Sequence, residues 1–170
     1  MYHVPCRATW QLVSRLPKKP IFIQQFWVNQ RLWFPIERAI ARKQLGLDDN
    51  KFIIGSFQRD TEGFDLATPK LAKGPDVFVD VVAEFNRHKK FDVEVLLAGW
   101  RRQYVIKRLN DLKIPFRYFD RPTDDIVNVL YNALNLYVVG SRCEGGPQAV
   151  VECAATQTPI LSTAVGIAED

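Results

Sequence analysis

A chain of 170 residues is long enough for one domain with a substantial buried core. With 47% hydrophobic and 25% charged residues it has the composition of a globular protein, which excludes a disordered one. The net charge of +4 leaves anionic ligands, nucleic acid, acidic lipid and a plainly solvated basic surface all open, while three cysteines with no C-x-x-C argue against a disulfide framework or a zinc site and for a reducing compartment.

In chain order, residues 1–19 show no regular period and read as an irregular N-terminal segment. PIFIQQFWV (20–28) predicts a strand entering a sheet. IERAIARKQLGL (36–47) predicts a helix ending at Gly46. KFIIGSF (51–57) is a short apolar run rich in β-branched and aromatic residues, hence a strand. Residues 58–74 form a long loop carrying Arg59, Lys70 and Lys73, and long loops in compact domains are often functional. Over 75–90, Phe78, Val81, Val82 and Phe85 recur at i, i+3, i+4 and i+7, one face of a helix with Pro75 in its first turn. VEVLLAG (93–99) is a strand stopped by glycine. Val105, Leu109 and Leu112 mark a helix over 101–112, and PFRYF (115–119) a short strand. Ile126, Val129, Leu130 and Ala133 mark a helix over 123–134, with Thr123 suited to its N-cap and Asp124 and Asp125 to the positive end of its dipole. LYVVGS (136–141) is a strand, PQAVVECAAT (147–156) a helix opened by proline, and PILST (159–163) a further strand.

Short, almost continuously apolar strands alternate with helices from residue 51 onward. That pattern predicts an α/β fold with a Rossmann-like parallel sheet covered by helices on both faces, and ligands at the carboxyl ends of the strands. No apolar run is long enough to span a membrane, and the N-terminus lacks the apolar core of a signal peptide, so the chain reads as soluble and cytoplasmic. With only His3 and His88, metal catalysis and a Ser-His-Asp triad lack their usual residue. No G-x-G-x-x-G follows a strand and no phosphate loop of the G-x-x-x-x-G-K-[ST] type occurs, which argues against dinucleotide oxidoreduction and nucleotide hydrolysis. Nucleic-acid binding has no motif behind it.

The most informative stretch is SRCEGGPQAVVECAATQTP, from Ser141 to Pro159. It places Glu144, Gly145, Gly146, Pro147 and Gln148 in the turn between a strand and a helix, at the carboxyl edge of the predicted sheet. The first N–H groups of a helix have no intrahelical acceptor and carry partial positive charge. Glycines without a Cβ let a ligand approach the backbone, so the turn suits an anionic or hydroxyl-rich ligand. Glu144 adds an acceptor for sugar hydroxyls. Glu152 interrupts an apolar helical segment, where a charge is costly unless it finds a partner such as a ribose. The spacing alone equally allows a capping acid at Glu144 and a solvent-facing one at Glu152.

EGGPQAVVE resembles the E-x7-E signature of retaining glycosyltransferases of the GT-B fold, which use nucleotide-diphosphate sugars. The blocks around it, SFQR, KLAKGPDVFVDVVAEF, VEVLLAG and the run from Leu130 to Asp170, resemble that family's pattern in the same order, so the likeness covers residues 20–170. It implies one half of a GT-B fold, the C-terminal donor-binding domain, incomplete at its C-terminus. It further implies that Arg59 and Lys73 hold the diphosphate and that Gly145, Gly146, Pro147 and Gln148 cradle sugar and phosphate. Glu144 then contacts the sugar, Glu152 the ribose, and Arg121 stands beside the base. Lys70 is the alternative to Lys73, which is preferred because Gly74-Pro75 follows it. Guanidinium and ammonium groups are the usual phosphate binders, and they stabilise charge on a departing diphosphate. No metal and no cofactor is implied; the donor would be a UDP-sugar or GDP-sugar.

The chain departs from the family pattern at Gln58, where glycine is usual, in the length of the loop between Arg59 and Lys73, and at Cys153, where alanine is common and the thiol would simply pack. It accounts for one Rossmann-like half only, so an N-terminal acceptor-binding domain is the implied partner, and any membrane association would run through parts outside this chain. Phe26, Trp27, Trp33 and Phe34 then read either as surface bared by that missing partner or as core. A non-catalytic interaction module with a vestigial sugar-nucleotide site is the alternative function.

Overall fold

In the computed structural model, which describes residues 1–16 and 19–170, the chain opens with β1 (Tyr2–Val4), α1 (Arg7–Val13), β2 (Ile21–Ile23) and α2 (Arg38–Leu45). From there strands and helices alternate: β3 (Phe52–Ser56), α3 (Pro75–Arg87), β4 (Val93–Ala98), α4 (Gln103–Asp111), β5 (Phe116–Phe119), α5 (Asp124–Ala133), β6 (Leu136–Val139), α6 (Gln148–Thr156) and β7 (Ile160–Ser162). All five strands from β3 onward pair in parallel, in the order β5-β4-β3-β6-β7. Successive side chains of a strand point to opposite faces, and both faces here are apolar, as a sheet buried on two sides requires. Ile53, Leu96, Ala98 and Val139 face a core with residues of α2, α5 and α6. Ile54, Val95, Leu97 and Val138 face a second core built by Phe78, Val79 and Val82 of α3 and Val105 and Leu109 of α4. Helices thus cover both faces, as the alternating pattern predicts.

The chain runs outward from β3 through β4 to β5, then returns to place β6 and β7 on the other side of β3. The connections beyond β3 and β6 therefore diverge and leave a crevice at the carboxyl ends of the strands, the usual ligand position of a doubly wound sheet. Two details fix the loops around it. Gly74 adopts φ +58, and a Cβ there would overlap the Gly140 carbonyl oxygen, so the backbones of the 58–74 loop and of the segment after β6 meet at van der Waals contact. Asp60, almost wholly buried, lies 3.5 Å from the buried Arg102 guanidinium and accepts from the Val105 N–H, which pins the start of the loop to α4. Burial pushes the Asp60 carboxyl up to about 6, against the pull of Arg102 and of the Val105 and Tyr104 N–H groups.

The N-terminal region departs from expectation. Where an irregular segment is expected over 1–19, the described residues 1–16 hold two regular elements, β1 and α1; residues 17 and 18 lie outside the described residues. The strand expected over 20–28 is only Ile21–Ile23, and it does not enter the main sheet; it pairs in parallel with β1 as a separate two-stranded sheet. Three-residue strands carry too little periodic signal to be read, and the polar pair Gln24-Gln25 ends β2 early. Farther on, the backbone of 34–36 is held by two buried asparagines: Asn128 accepts from the Phe34 N–H and Asn132 from the Ile36 N–H. Trp33 is core, whereas Phe26, Trp27 and Phe34 are exposed. Among the described residues, no helix is long and apolar enough to cross a membrane.

Candidate functional site

A hollow of about 340 Å³ opens at the crevice, a size suited to a small ligand. Its floor is aromatic and rigid. Phe57 packs edge-on against Tyr131 and Tyr137, with centroids 4.8 and 5.2 Å apart, and Trp33 meets Tyr131 at 5.7 Å. The buried Tyr137 hydroxyl accepts from the Phe57 N–H at 3.0 Å and so locks the end of β3. Burial raises the phenols of Tyr131 and Tyr137 well above their ordinary value, which keeps both neutral.

Charged groups line the walls. Lys73, at the end of a 3-10 turn (Leu71–Lys73), places its Nζ 2.8 Å from Glu144, whose side chain is only 8% exposed. The buried Ser141 hydroxyl also donates to Glu144. Gln58 lies between these groups: its Nε2 donates to the Lys73 carbonyl at 2.8 Å, and its Oε1 lies 3.4 Å from the Ser141 hydroxyl oxygen. A further clamp ties the lysine turn to the acid turn. Arg142 makes a two-pronged ion pair with Asp76 at 2.6 and 2.7 Å, and the Arg142 and Cys143 N–H groups both donate to the Ala72 carbonyl. The guanidinium fork holds the Asp76 carboxyl below its ordinary value.

Glu152 enters from α6. The Tyr131 hydroxyl donates to it at 2.7 Å, a partner from within the protein for the acid that interrupts the apolar helix. Burial raises the Glu152 carboxyl above its ordinary value; the Tyr131 bond works the other way and the charge of Asp124 adds to the rise. Arg121 and Asp124 complete the far wall, together with Pro147 and Gln148. The hollow therefore presents two cations and three acids around neutral, hydrogen-bonding edges, and it can take a ligand carrying both phosphate and hydroxyl groups.

Of the residues singled out in the sequence, Lys73, Arg121, Glu144, Pro147, Gln148 and Glu152 meet at this hollow. Arg59, Gly145 and Gly146 are not on its wall. The Arg59 Nε donates to the Thr61 carbonyl at 2.6 Å, and its guanidinium lies 5.5 Å from the centroid of Trp100, a cation–π contact that holds it away from the hollow's wall. The space beside the glycines is filled by this chain's own residues. A Cβ on Gly146 would stand 2.5 Å from the Phe26 ring, and one on Gly145 3.3 Å from Pro5, so the missing side chains admit the N-terminal segment. Lys70 does not line the hollow, whereas Gln58, Asp124 and Tyr131 do, without having been picked as site residues. Asp124 carried a signal that the helix-dipole reading absorbed, and Tyr131 had one in being a polar-tipped ring on an apolar helix.

Residues 66–170 match the model of the family described as Glycosyl transferases group 1. No curated protein sequence matches the chain. Among solved structures, the chain is similar to sucrose-phosphate synthase from Thermosynechococcus elongatus, with a TM-score of 0.77 and 20% identity over 96% of this chain and 40% of that one. It is similar to Anabaena Alr3699/HepE in complex with UDP-glucose, with a TM-score of 0.76 and 18% identity over 98% of this chain and 45% of that one. It is also similar to WaaG, a glycosyltransferase involved in lipopolysaccharide biosynthesis, with a TM-score of 0.73 and 18% identity over 96% and 44%. The chain thus spans less than half the length of each of these structures.

Proposed function

This chain belongs to the Glycosyl transferases group 1 family and folds as one Rossmann-like half of a GT-B fold, and we propose that it is the donor-binding half of a retaining glycosyltransferase that uses a UDP-sugar or GDP-sugar. One observation carries the reading: Lys73, Glu144 and Glu152 converge on a single hollow at the point where the strand order reverses. In it the diphosphate lies against Lys73 and the first N–H groups of α6, where cationic and dipolar charge is concentrated, and Arg121 stands beside the base. Glu144 accepts from the sugar hydroxyls and Glu152 from the ribose. As the glycosidic bond breaks, negative charge builds on the departing diphosphate, and Lys73 stabilises it there. The UDP-glucose complex of HepE, a protein of similar fold, supports the donor class.

Calorimetric titration of the chain with UDP and GDP tests the reading. One of the two nucleotides binds, and Glu152→Ala weakens that binding. A chain that binds neither overturns it.

A further inference from the structure

The wall of the hollow carries Tyr131 and Glu152 side by side, one from α5 and one from α6. Tyr131 is 1% exposed, and its ring is fixed by its neighbours. Trp33 and Phe57 meet it edge-on at 5.7 and 4.8 Å, and Tyr137 lies tilted against it at 5.1 Å. The Tyr131 carbonyl accepts from the buried Thr158 hydroxyl at 3.0 Å, which fixes the backbone as well. A side chain locked in one rotamer by packing holds its polar tip at one point.

Packing alone does not ask for that tip. A phenylalanine would fill the same box of rings, and a buried hydroxyl costs free energy unless it is hydrogen-bonded. Burial keeps the phenol neutral, so it always has its one proton to give. That proton goes to Oε2 of Glu152 at 2.7 Å. Among the described residues, Oε1 of Glu152 takes no hydrogen bond. Burial and the charge of Asp124 both raise the Glu152 carboxyl, and the Tyr131 bond acts against them. The phenol therefore fixes the direction of the carboxyl group and favours its charged form, the stronger acceptor.

We infer that Tyr131 is a positioning residue for ribose recognition: on the donor reading above, on which this rests, it holds Glu152 so that the other carboxylate oxygen accepts from the ribose hydroxyls. The preference of the chain for a ribonucleotide over one without those hydroxyls then runs through a group that does not itself touch the ribose. A bond that merely ties α5 to α6 would stabilise the fold and leave that preference unchanged.

The test is calorimetric titration of the parent chain, Tyr131→Phe, Glu152→Ala and the double variant with UDP, GDP and the 2′,3′-dideoxy form of each. The nucleotide that binds the parent does so about tenfold or more tightly than its dideoxy form, the factor that a hydrogen bond to a charged group supplies. Tyr131→Phe lowers affinity for the ribonucleotide by about tenfold and hardly changes that for the dideoxy form, and in the Glu152→Ala background it has no further effect. Equal losses for the two forms, or no loss, overturn the positioning role and leave the donor reading standing. A parent chain that binds both forms equally overturns it as well. If the parent binds neither UDP nor GDP, the donor reading falls and this inference with it. A readout without any variant covers a Tyr131→Phe chain that does not fold: in the isotopically labelled parent, the Tyr131 Cζ resonance shifts on adding the ribonucleotide and hardly on adding its dideoxy form, and equal shifts overturn the proposal.

Discussion

Replacing Lys73 by methionine separates two roles of the same ammonium group. In the folded chain Lys73 neutralises Glu144 at 2.8 Å, with side-chain exposures of 30% and 8%. Removing one partner of a fully buried pair costs about 3–5 kcal/mol. Water reaches Lys73 but hardly Glu144, so Lys73→Met should cost about 2 kcal/mol, read as a lowered midpoint of urea denaturation. A hydrogen bond to a charged group contributes about 1.5–3 kcal/mol net, so UDP should bind about 10- to 150-fold more weakly by calorimetry. The double variant Lys73→Met with Glu144→Gln removes the stranded carboxylate. Its stability should return to within about 1 kcal/mol of the parent, because a neutral amide is far cheaper to bury, while UDP affinity stays low. A single variant that binds UDP as tightly as the parent would refute the role at the diphosphate. A double variant no more stable than the single one would refute the pairing argument.

Gly146→Ala brings a methyl to 2.5 Å from the Phe26 ring and should destabilise by about 1–3 kcal/mol, with part of the loss recovered by adding Phe26→Leu; thermal melts of the three proteins check this. Gly74→Ala combines the left-handed φ of +58 with overlap on the Gly140 carbonyl, and it should lower the yield of folded protein more than Gly146→Ala does, as measured by soluble expression and circular dichroism. Arg59→Ala should change UDP affinity by only about threefold or less, since the half-buried guanidinium is held by the Thr61 carbonyl and Trp100 in the unliganded protein; a loss as large as that for Lys73→Met would mean that it swings fully onto the ligand. The Asp60 carboxyl, ordinarily near 3.8, is held at about 6 by burial, so the folded chain binds that proton more tightly than the unfolded one. Its contribution to stability is then fully favourable below about pH 4 and is lost as pH rises to about 6. Denaturation midpoints between pH 4 and 7 should show this decline in the parent and not in Asp60→Asn.

What was legible in the sequence was what local chemistry decides. Gly46 ends α2 in the left-handed conformation, and Pro75 opens α3, as their residue types dictate. Phe78 and Val82 are buried as the helical spacing requires, and Cys153 packs in the core as a small apolar residue. The pairing of Glu144 with Glu152 across one hollow was legible too, because both lie within one strand-turn-helix unit. What escaped depends on partners distant in the chain. Arg59 is drawn aside by Trp100, and Gly146 is bare because Phe26 needs the room. Gln58 looks like an ordinary loop residue until Ser141 and Lys73 are folded beside it. The pairing of β1 with β2 rests on two three-residue strands, too short for a period to show.

The stitching between residues 71–76 and 141–144 makes those two turns one mechanical part. A fork of two short ion pairs and a carbonyl shared by two amides leave neither turn free to drift alone. A ligand that pulls on Lys73 must carry Glu144 with it, so cation and acid cannot be retuned separately. Anyone grafting the lysine turn of a relative onto this scaffold should transplant residue 142 along with residue 76, or accept a jaw whose halves no longer close in register.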